Sequence, residues 1–304
     1  MQREAELLEV AYYHIVFTLP SELNQIAIKE PEKVYNALFN AGWQTIKTLA
    51  EDQRFLGAKP GMVAVLHTWG QKLWLHPHIH CIVPAGGITK AGNWKNARYK
   101  SKYLFPQKAM SKIYRAKFVA KLRKSGVAIP QHIAKAIFSK DWVVYAKRPF
   151  ASPKTVVEYL GRYTHKIAIS NHRLISIENE KVRFSYKDYR KGARNDVAEL
   201  SAVEFLRRFC QHILPKGFVR IRHYGFLASK NKAKELNMAK KQLGQPQWKK
   251  TKINWKTIAV QKLNINPEKC PKCKKGIMEI IQVVAPERGP PVFKITSNLK
   301  FEKQ

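Results

Sequence analysis

Hydrophobic positions along the chain fall into two rhythms. Ala11–Leu19, Met62–Trp69 and Leu75–Val83 are short runs rich in β-branched and aromatic residues, which predicts strands. Pro20 closes the first, and Pro84 with Gly86-Gly87 closes the third. The short link between the second and third predicts an antiparallel hairpin. The other rhythm is helical. Val34, Leu38, Ala41, Ile46 and Leu49 mark an amphipathic helix over Pro31–Ala50, and Ile113, Phe118, Val119 and Leu122 mark another over Gln107–Lys124. Further on, Asp141–Ala146 predicts a strand. Ser152-Pro153 then supplies an N-cap and an N1 proline for a helix carrying Val156, Val157, Tyr159, Leu160 and Tyr163. Short strands over 167–170, 174–178 and 181–186, a helix over 202–213 and a strand over 218–224 follow. Glu4–Glu9 reads as a helical lead-in. From Ala228 the chain is Lys-rich and poorly periodic, with a linker or tail at Gln245–Lys250 and an extended, proline-marked end. There is no internal repeat.

Charge changes the picture more than composition does. Lys and Arg number 56 against 21 Asp and Glu, a formal +35 on 304 residues, so the surface attracts polyanions, nucleic acid first among them. A membrane surface is the competing polyanion, but there is no apolar run of spanning length and no signal-peptide pattern at Met1–Glu4. A soluble, cytoplasmic protein is expected. Four cysteines, unevenly placed, make no disulfide framework. From Gln53 to Lys140 there is no Asp or Glu, and 17 residues are Lys or Arg. Within that stretch, residues 89–125 interleave basic and aromatic side chains, a pattern that tracks a phosphate backbone and stacks on unpaired bases.

The same carboxylate-free stretch holds the histidine cluster. His78 and His80 sit two apart on a strand and therefore share a face, which makes half of a site for a divalent cation. Tyr159 and Tyr163 lie four apart on the helix that Ser152 opens, so their hydroxyls stack one turn apart. Arg162, His165 and Lys166 surround them with groups that lower a phenol pKa and attract phosphate. A tyrosine beside a metal-bound phosphodiester is a nucleophile that stores bond energy as a phosphotyrosine. Cys270-Pro271-Lys272-Cys273 is half of a zinc pattern, which Cys210 and His212 complete only if the fold brings them together. A zinc deaminase is excluded, because no histidine is followed two residues later by Glu.

The His-x-His strand, the tyrosine pair, and the phrases Leu66–Gln71, Ala168–Asn171 and Arg220–Leu227 together resemble the two-tyrosine rolling-circle transposases of the HUH endonuclease superfamily, over roughly residues 3–230. The resemblance implies an α+β fold: a central antiparallel sheet with flanking helices, of ferredoxin-like or RRM-like type. It implies one nuclease domain over 1–230, with a basic helical insertion at about 89–140, and a basic C-terminal extension over 231–304. His78 and His80 become the metal pair and Tyr159 and Tyr163 the nucleophiles, with Mg²⁺ or Mn²⁺ as the cation. If the second strand runs on to Leu73, Gln71 lies opposite His78, which makes it the first choice for third ligand. His67, further along the same face, is second and Glu158 third, while His76 reads as structural. Lys112, Arg115 and Lys117 on the basic helix, with Arg220, Arg222 and His223, are candidates for the path of single-stranded DNA. Family members usually carry a cysteine-rich zinc module ahead of the point where this chain starts, so a short form or a fragment is expected. A replication-initiator or mobilisation nuclease, and a non-catalytic nucleic-acid-binding module, are the competing functions.

Overall fold

The computed structural model describes residues 5–97, 104–150, 155–156, 167–189, 192–249 and 255–279, with side chains at all of these except 147–150 and 262. The chain divides into two compact units, Met1–Lys250 and Thr251–Gln304.

The first unit is built on a β-α-β-β-α-β core. Strand β1 (Tyr12–Thr18) is followed by helix α1 (Asn24–Lys29) and helix α2 (Pro31–Glu51). Strands β2 (Lys59–Trp69) and β3 (Leu75–Pro84) form the hairpin. Short strands β4 (Gly86–Ile88) and β5 (Trp94–Asn96) lead to helices α3 (Gln107–Lys124) and α4 (Gln131–Phe138), and β6 (Val144–Phe150) closes the sheet. The order β2-β3-β1-β6, with β3 antiparallel to both of its neighbours, is that of two interleaved βαβ units. The expected ferredoxin-like α+β architecture is therefore present. A later strand, β10 (Ile221–Gly225), pairs with β2.

One face of this sheet is covered and the other carries the histidines. Tyr13, Ile15 and Phe17 of β1, Ala64 and Leu66 of β2, and Ile79 and Cys81 of β3 are buried against α2 and α3. Gly42 is what lets α2 come close: a Cβ there would meet Ile79 Cδ1 at 2.6 Å and Phe17 Cδ2 at 3.3 Å. Ile79 is fully buried, worth about 1.5–3 kcal/mol. It anchors β3 from beneath, between His78 and His80.

Helix α3 differs from the expected insertion. Met110, Tyr114, Phe118 and Leu122 are completely buried, and Tyr114 packs at 4.9 Å from Phe17. It is the second crossover helix of the core. Its many lysines disguise it, because they occupy only the outer face.

Residues 174–210 make a separate small layer. Strands β7 (Leu174–Glu178), β8 (Lys181–Asp188) and β9 (Arg194–Ser201) form a three-stranded antiparallel sheet, and helix α5 (Ala202–Cys210) follows, capped by Ser201 Oγ accepting from Glu204 N. Several local expectations differ here. Strand β9 pairs with β8 along its whole length, although its sequence is too polar to announce a strand. Residues 167–170 are not a strand, and α5 stops at Cys210, not at Ile213. The lead-in is not helical over 6–9; Leu8 N instead donates to Tyr12 Oη at 2.8 Å.

The Lys-rich region past Ala228 also holds a helix, α6 (Lys232–Gln242). Its Leu236 and Ala239 pack with Leu8, Ile88, Phe226 and Leu227, which carries the first unit past residue 230. The second unit contains α7 (Trp255–Leu263) and the Cys270–Cys273 turn.

Candidate functional site

Cross-strand register assembles the site. His67 of β2 lies directly opposite His78 of β3, and Val65 lies opposite His80. His67, His78 and His80 therefore share the face turned away from α2 and α3. Their potential ligand nitrogens all lie within 4.8 Å of one another. The rings sit 4.6–5.5 Å apart and are steeply tilted, which aims nitrogens inward instead of stacking the rings. His78 Nε2 and His80 Nε2 are 3.1 Å apart. Two nitrogens bound about 2.1 Å from one cation at a right angle stand about 3 Å apart, so the pair fits that geometry.

Proton positions follow from the outer partners. His78 Nδ1 is 2.6 Å from the His76 carbonyl oxygen, which can only accept. His78 Nδ1 therefore carries the proton and Nε2 offers a lone pair. Burial holds His78 well below the ordinary histidine range, at about 3, so the ring is neutral at physiological pH and ready to ligate. His80 Nδ1 is 2.9 Å from His14 Nε2, and the two rings stack at 5.2 Å with a 9° tilt. When His80 Nδ1 donates to His14, the His80 Nε2 lone pair is also free for a cation. In the alternative tautomer His80 Nε2 donates to His78, and the two imidazoles share a proton instead.

His14 is the residue that sequence reasoning missed. It is a lone histidine in an apolar strand, and only the β1–β3 pairing reveals its role. Val16 lies opposite His80, so His14 reaches it diagonally. His14 is 4% exposed, so its imidazole is committed to this contact. Trp69 stacks on His67 at 4.7 Å, and the Arg220 guanidinium lies 5.3 Å from the Trp69 ring.

The third position is a correction. Strand β2 ends at Trp69, and residues 70–74 form the connection, closed by Gly70 N donating to Trp74 O at 2.9 Å. Gln71 is thus in the turn, with its side-chain oxygen accepting from Lys187 N at 3.4 Å. The register moves by four residues, an even number, so the face is kept and His67 takes the place expected of Gln71. The cause is Leu73, which adopts φ 61° and is fully buried among Ala168, Ile169, Val182 and Phe184. His76 contributes its backbone carbonyl to His78 Nδ1.

The expected DNA contacts divide between the two faces. Lys112 and Lys117 are exposed but belong to α3, on the far side of the sheet from the histidines. Arg115 donates to the carbonyls of Phe138 and Lys140, joining α3 to the end of α4. Arg222 also faces α2, donating to Asn36 Oδ1 at 2.6 Å and lying over Phe39 and Phe218. His223 lies opposite Val63 and so shares the histidine face. Arg220 props Trp69 and donates to Leu66 O.

Glu158, Tyr159, Arg162, Tyr163, His165 and Lys166 lie outside the described residues. Val156 is fully buried against Tyr12 and Ile82, both on the histidine face. In the second unit, Cys273 Sγ accepts from Gly276 N at 3.3 Å, and that N–H lowers the Cys273 thiol pKa. Among the described residues no third histidine, cysteine or carboxylate joins Cys270 and Cys273.

A split βαβ sheet with clustered imidazoles on its open face agrees with the ferredoxin-like α+β architecture expected from the sequence. A family model described as "Putative transposase" matches residues 61–235, which contain all three clustered histidines, and the chain belongs to this transposase family. It is 40% identical to "Putative transposase y4qJ" of Sinorhizobium fredii, an alignment covering 95% of this chain and 77% of that protein. It is 29% identical to the "Transposase for insertion sequence element IS801" of Pseudomonas savastanoi pv. phaseolicola, over 88% of this chain and 67% of that one. Among solved structures, the conjugative relaxase TrwC, in a metal-free complex with oriT DNA, aligns over 77% of this chain and 73% of its own, at 10% identity and a TM-score of 0.30. Membership in this family makes the chain a DNA-acting protein. Among the described residues no helix is long and apolar enough to cross a membrane.

Proposed function

We propose that this protein cuts and rejoins single-stranded DNA through a covalent 5′-phosphotyrosine, as a rolling-circle transposase. The observation that carries the reading is the His67–His78–His80 cluster on the open sheet face. Val156 supports it, because the residue three before Tyr159 is fixed on that same face. His67, His78 and His80 hold a divalent cation, Mg²⁺ or Mn²⁺. When bound, that ion supplies Lewis-acid polarisation of a non-bridging phosphate oxygen. Tyr159 or Tyr163 attacks phosphorus through its phenolic oxygen. The bond to the 3′ oxygen breaks, the phenol proton passes to solvent, and the departing 3′ oxygen takes up a proton from solvent to leave as a 3′-hydroxyl. The second tyrosine permits a second transfer before the first strand is released.

The test is a labelled single-stranded oligonucleotide carrying an element end, incubated with Mn²⁺. A protein–DNA adduct stable to denaturing electrophoresis is expected, and EDTA should abolish it. Binding without any adduct would instead indicate a non-catalytic nucleic-acid-binding module.

Replacing His14 with alanine should raise the Mn²⁺ dissociation constant about 10- to 100-fold, because the orienting partner of a ligating histidine is lost. Isothermal titration measures this directly, and an unchanged constant would remove His14 from the site.

The position of the histidines also redirects the DNA path. Since α3 lies behind the sheet, the strand must cross the open face, where Val16 pairs with both His80 and Tyr145. Tyr145 is 48% exposed and two strands, about 10 Å, from His80, a suitable place for an unpaired base to stack. Tyr145→Ala should weaken single-strand binding about 5- to 100-fold, and Tyr145→Trp should retain it. The slope of affinity against salt should not change, since stacking releases no counterions. Anisotropy titrations in EDTA at several salt concentrations would decide this, and an affinity equal to wild type would exclude Tyr145.

A further inference from the structure

The connection between β2 and β3 has unusually complete outside support. Its three central carbonyls each face a side-chain N–H from a different part of the following chain. Arg173 Nη2 donates to Gln71 O at 2.6 Å, Arg208 Nη1 to Lys72 O at 3.2 Å, and His212 Nε2 lies 3.1 Å from Leu73 O. The Arg208 guanidinium carbon also lies over Trp74, 3.4 Å from its ring centre, and Lys72 sits over the Tyr186 ring. Tight turns normally satisfy such carbonyls with water. Here the three-stranded layer and α5 grip the tip of the hairpin that carries His67 and His78.

His212 differs from the other two because it touches both the tip and a strand arm. Its Nδ1 is 3.2 Å from Thr68 Oγ1, and Thr68 is buried and adjacent to His67. The Leu73 carbonyl can only accept, so Nε2 bears the proton, and the neutral ring leaves Nδ1 to accept from the Thr68 hydroxyl. The ring also meets Trp69 edge-on at 6.1 Å, and Trp69 stacks on His67. The β2–β3 ladder slips register between His67 and Trp69, so its regular hydrogen bonds do not by themselves fix the direction of His67.

From these contacts we infer that His212 is a positioning residue for the cation site: it locks Thr68 and Trp69 and thereby sets where His67 points relative to His78. The inference rests on the metal reading above. The route from His212 to the ion runs through His67 alone.

The experiment measures Mn²⁺ binding by the full chain from the free-Mn²⁺ electron paramagnetic resonance signal, with no DNA present. His212→Ala should raise the dissociation constant about 10-fold. His212→Gln, which can still donate to Leu73 O and accept from Thr68, should stay within about threefold of wild type. Thr68→Val keeps the side-chain shape and removes only the hydroxyl; it should lose about threefold and guards against a His212→Ala variant that fails to fold. Combined with His67→Ala, the His212→Ala change should add nothing, because the group it positions is gone. Wild-type affinity in both His212→Ala and Thr68→Val would overturn the role, and so would a loss that persists undiminished in the His67→Ala background. A wild-type chain that binds no Mn²⁺ would overturn the metal reading itself, a result separable from either of these.

Discussion

Replacing His80 with alanine is expected to abolish covalent adduct formation, by about 10³-fold or more, while leaving binding of single-stranded DNA in EDTA within a few-fold of wild type. His80 is the junction of the cluster. Its Nε2 faces His78 Nε2 at 3.1 Å, and its Nδ1 is 2.9 Å from His14. On the proposed cation site, removing the ring would delete one ligand and strand the His14 partner that orients it. A metal ion contributes several kcal/mol of charge stabilisation to phosphoryl transfer, and each 1.36 kcal/mol is a factor of ten in rate. The loss should therefore be of that order and should not be restored by millimolar Mn²⁺. Applied to the third position, the same assay separates two residues four apart. His67→Ala should fall with His80→Ala, whereas Gln71→Ala, in the turn, should keep most of the activity. An active His80→Ala protein with wild-type Mn²⁺ affinity would show that the cluster is a buried hydrogen-bonded group and nothing more.

Changing both Tyr159 and Tyr163 to phenylalanine should eliminate the adduct altogether. The substitution removes a single oxygen from each side chain and keeps the aromatic ring, so packing and DNA affinity should be preserved. On the proposed mechanism the double change removes both candidate nucleophiles, and losses on the order of 10⁴-fold or more are usual for such groups. The single variants carry separate information. If one tyrosine attacks first, its phenylalanine variant should form no adduct on a single-end substrate, and the other variant should form it normally. If either can act, each single variant should retain roughly half of the yield. An adduct persisting in the double variant would move the nucleophile elsewhere. Mass spectrometry of the nuclease-trimmed peptide identifies the modified residue independently of the mutants.

Sequence alone determined a good deal. The placement of His78 and His80 on one face needed no partner strand, because alternation along an extended backbone is a local property. The same holds for the hairpin, for α2 with its apolar stripe, and for the strong positive charge. Elements whose burial follows from their own periodicity were legible in order along the chain, while their arrangement in a ferredoxin-like sheet came from the family resemblance.

Tertiary structure decided the rest. In the expected register Gln71 stands opposite His78; in the observed one His67 does, and Gln71 lies in the turn. The choice between them rested on Leu73, which leaves the strand to bury itself among residues from 168 onward. The role of His14 depends on the neighbour that β1 acquires, and nothing in AYYHIVFTL specifies that neighbour. Helix α3 reads as a basic surface element, yet its Tyr114 and Phe118 are core, so the lysines expected to contact DNA lie on the side of the sheet away from the histidines. Strand β9 exists because β8 offers it a complete ladder. In each case the deciding contact joins residues distant in sequence, and its energy depends on which surfaces meet, a quantity that periodicity within a segment does not contain.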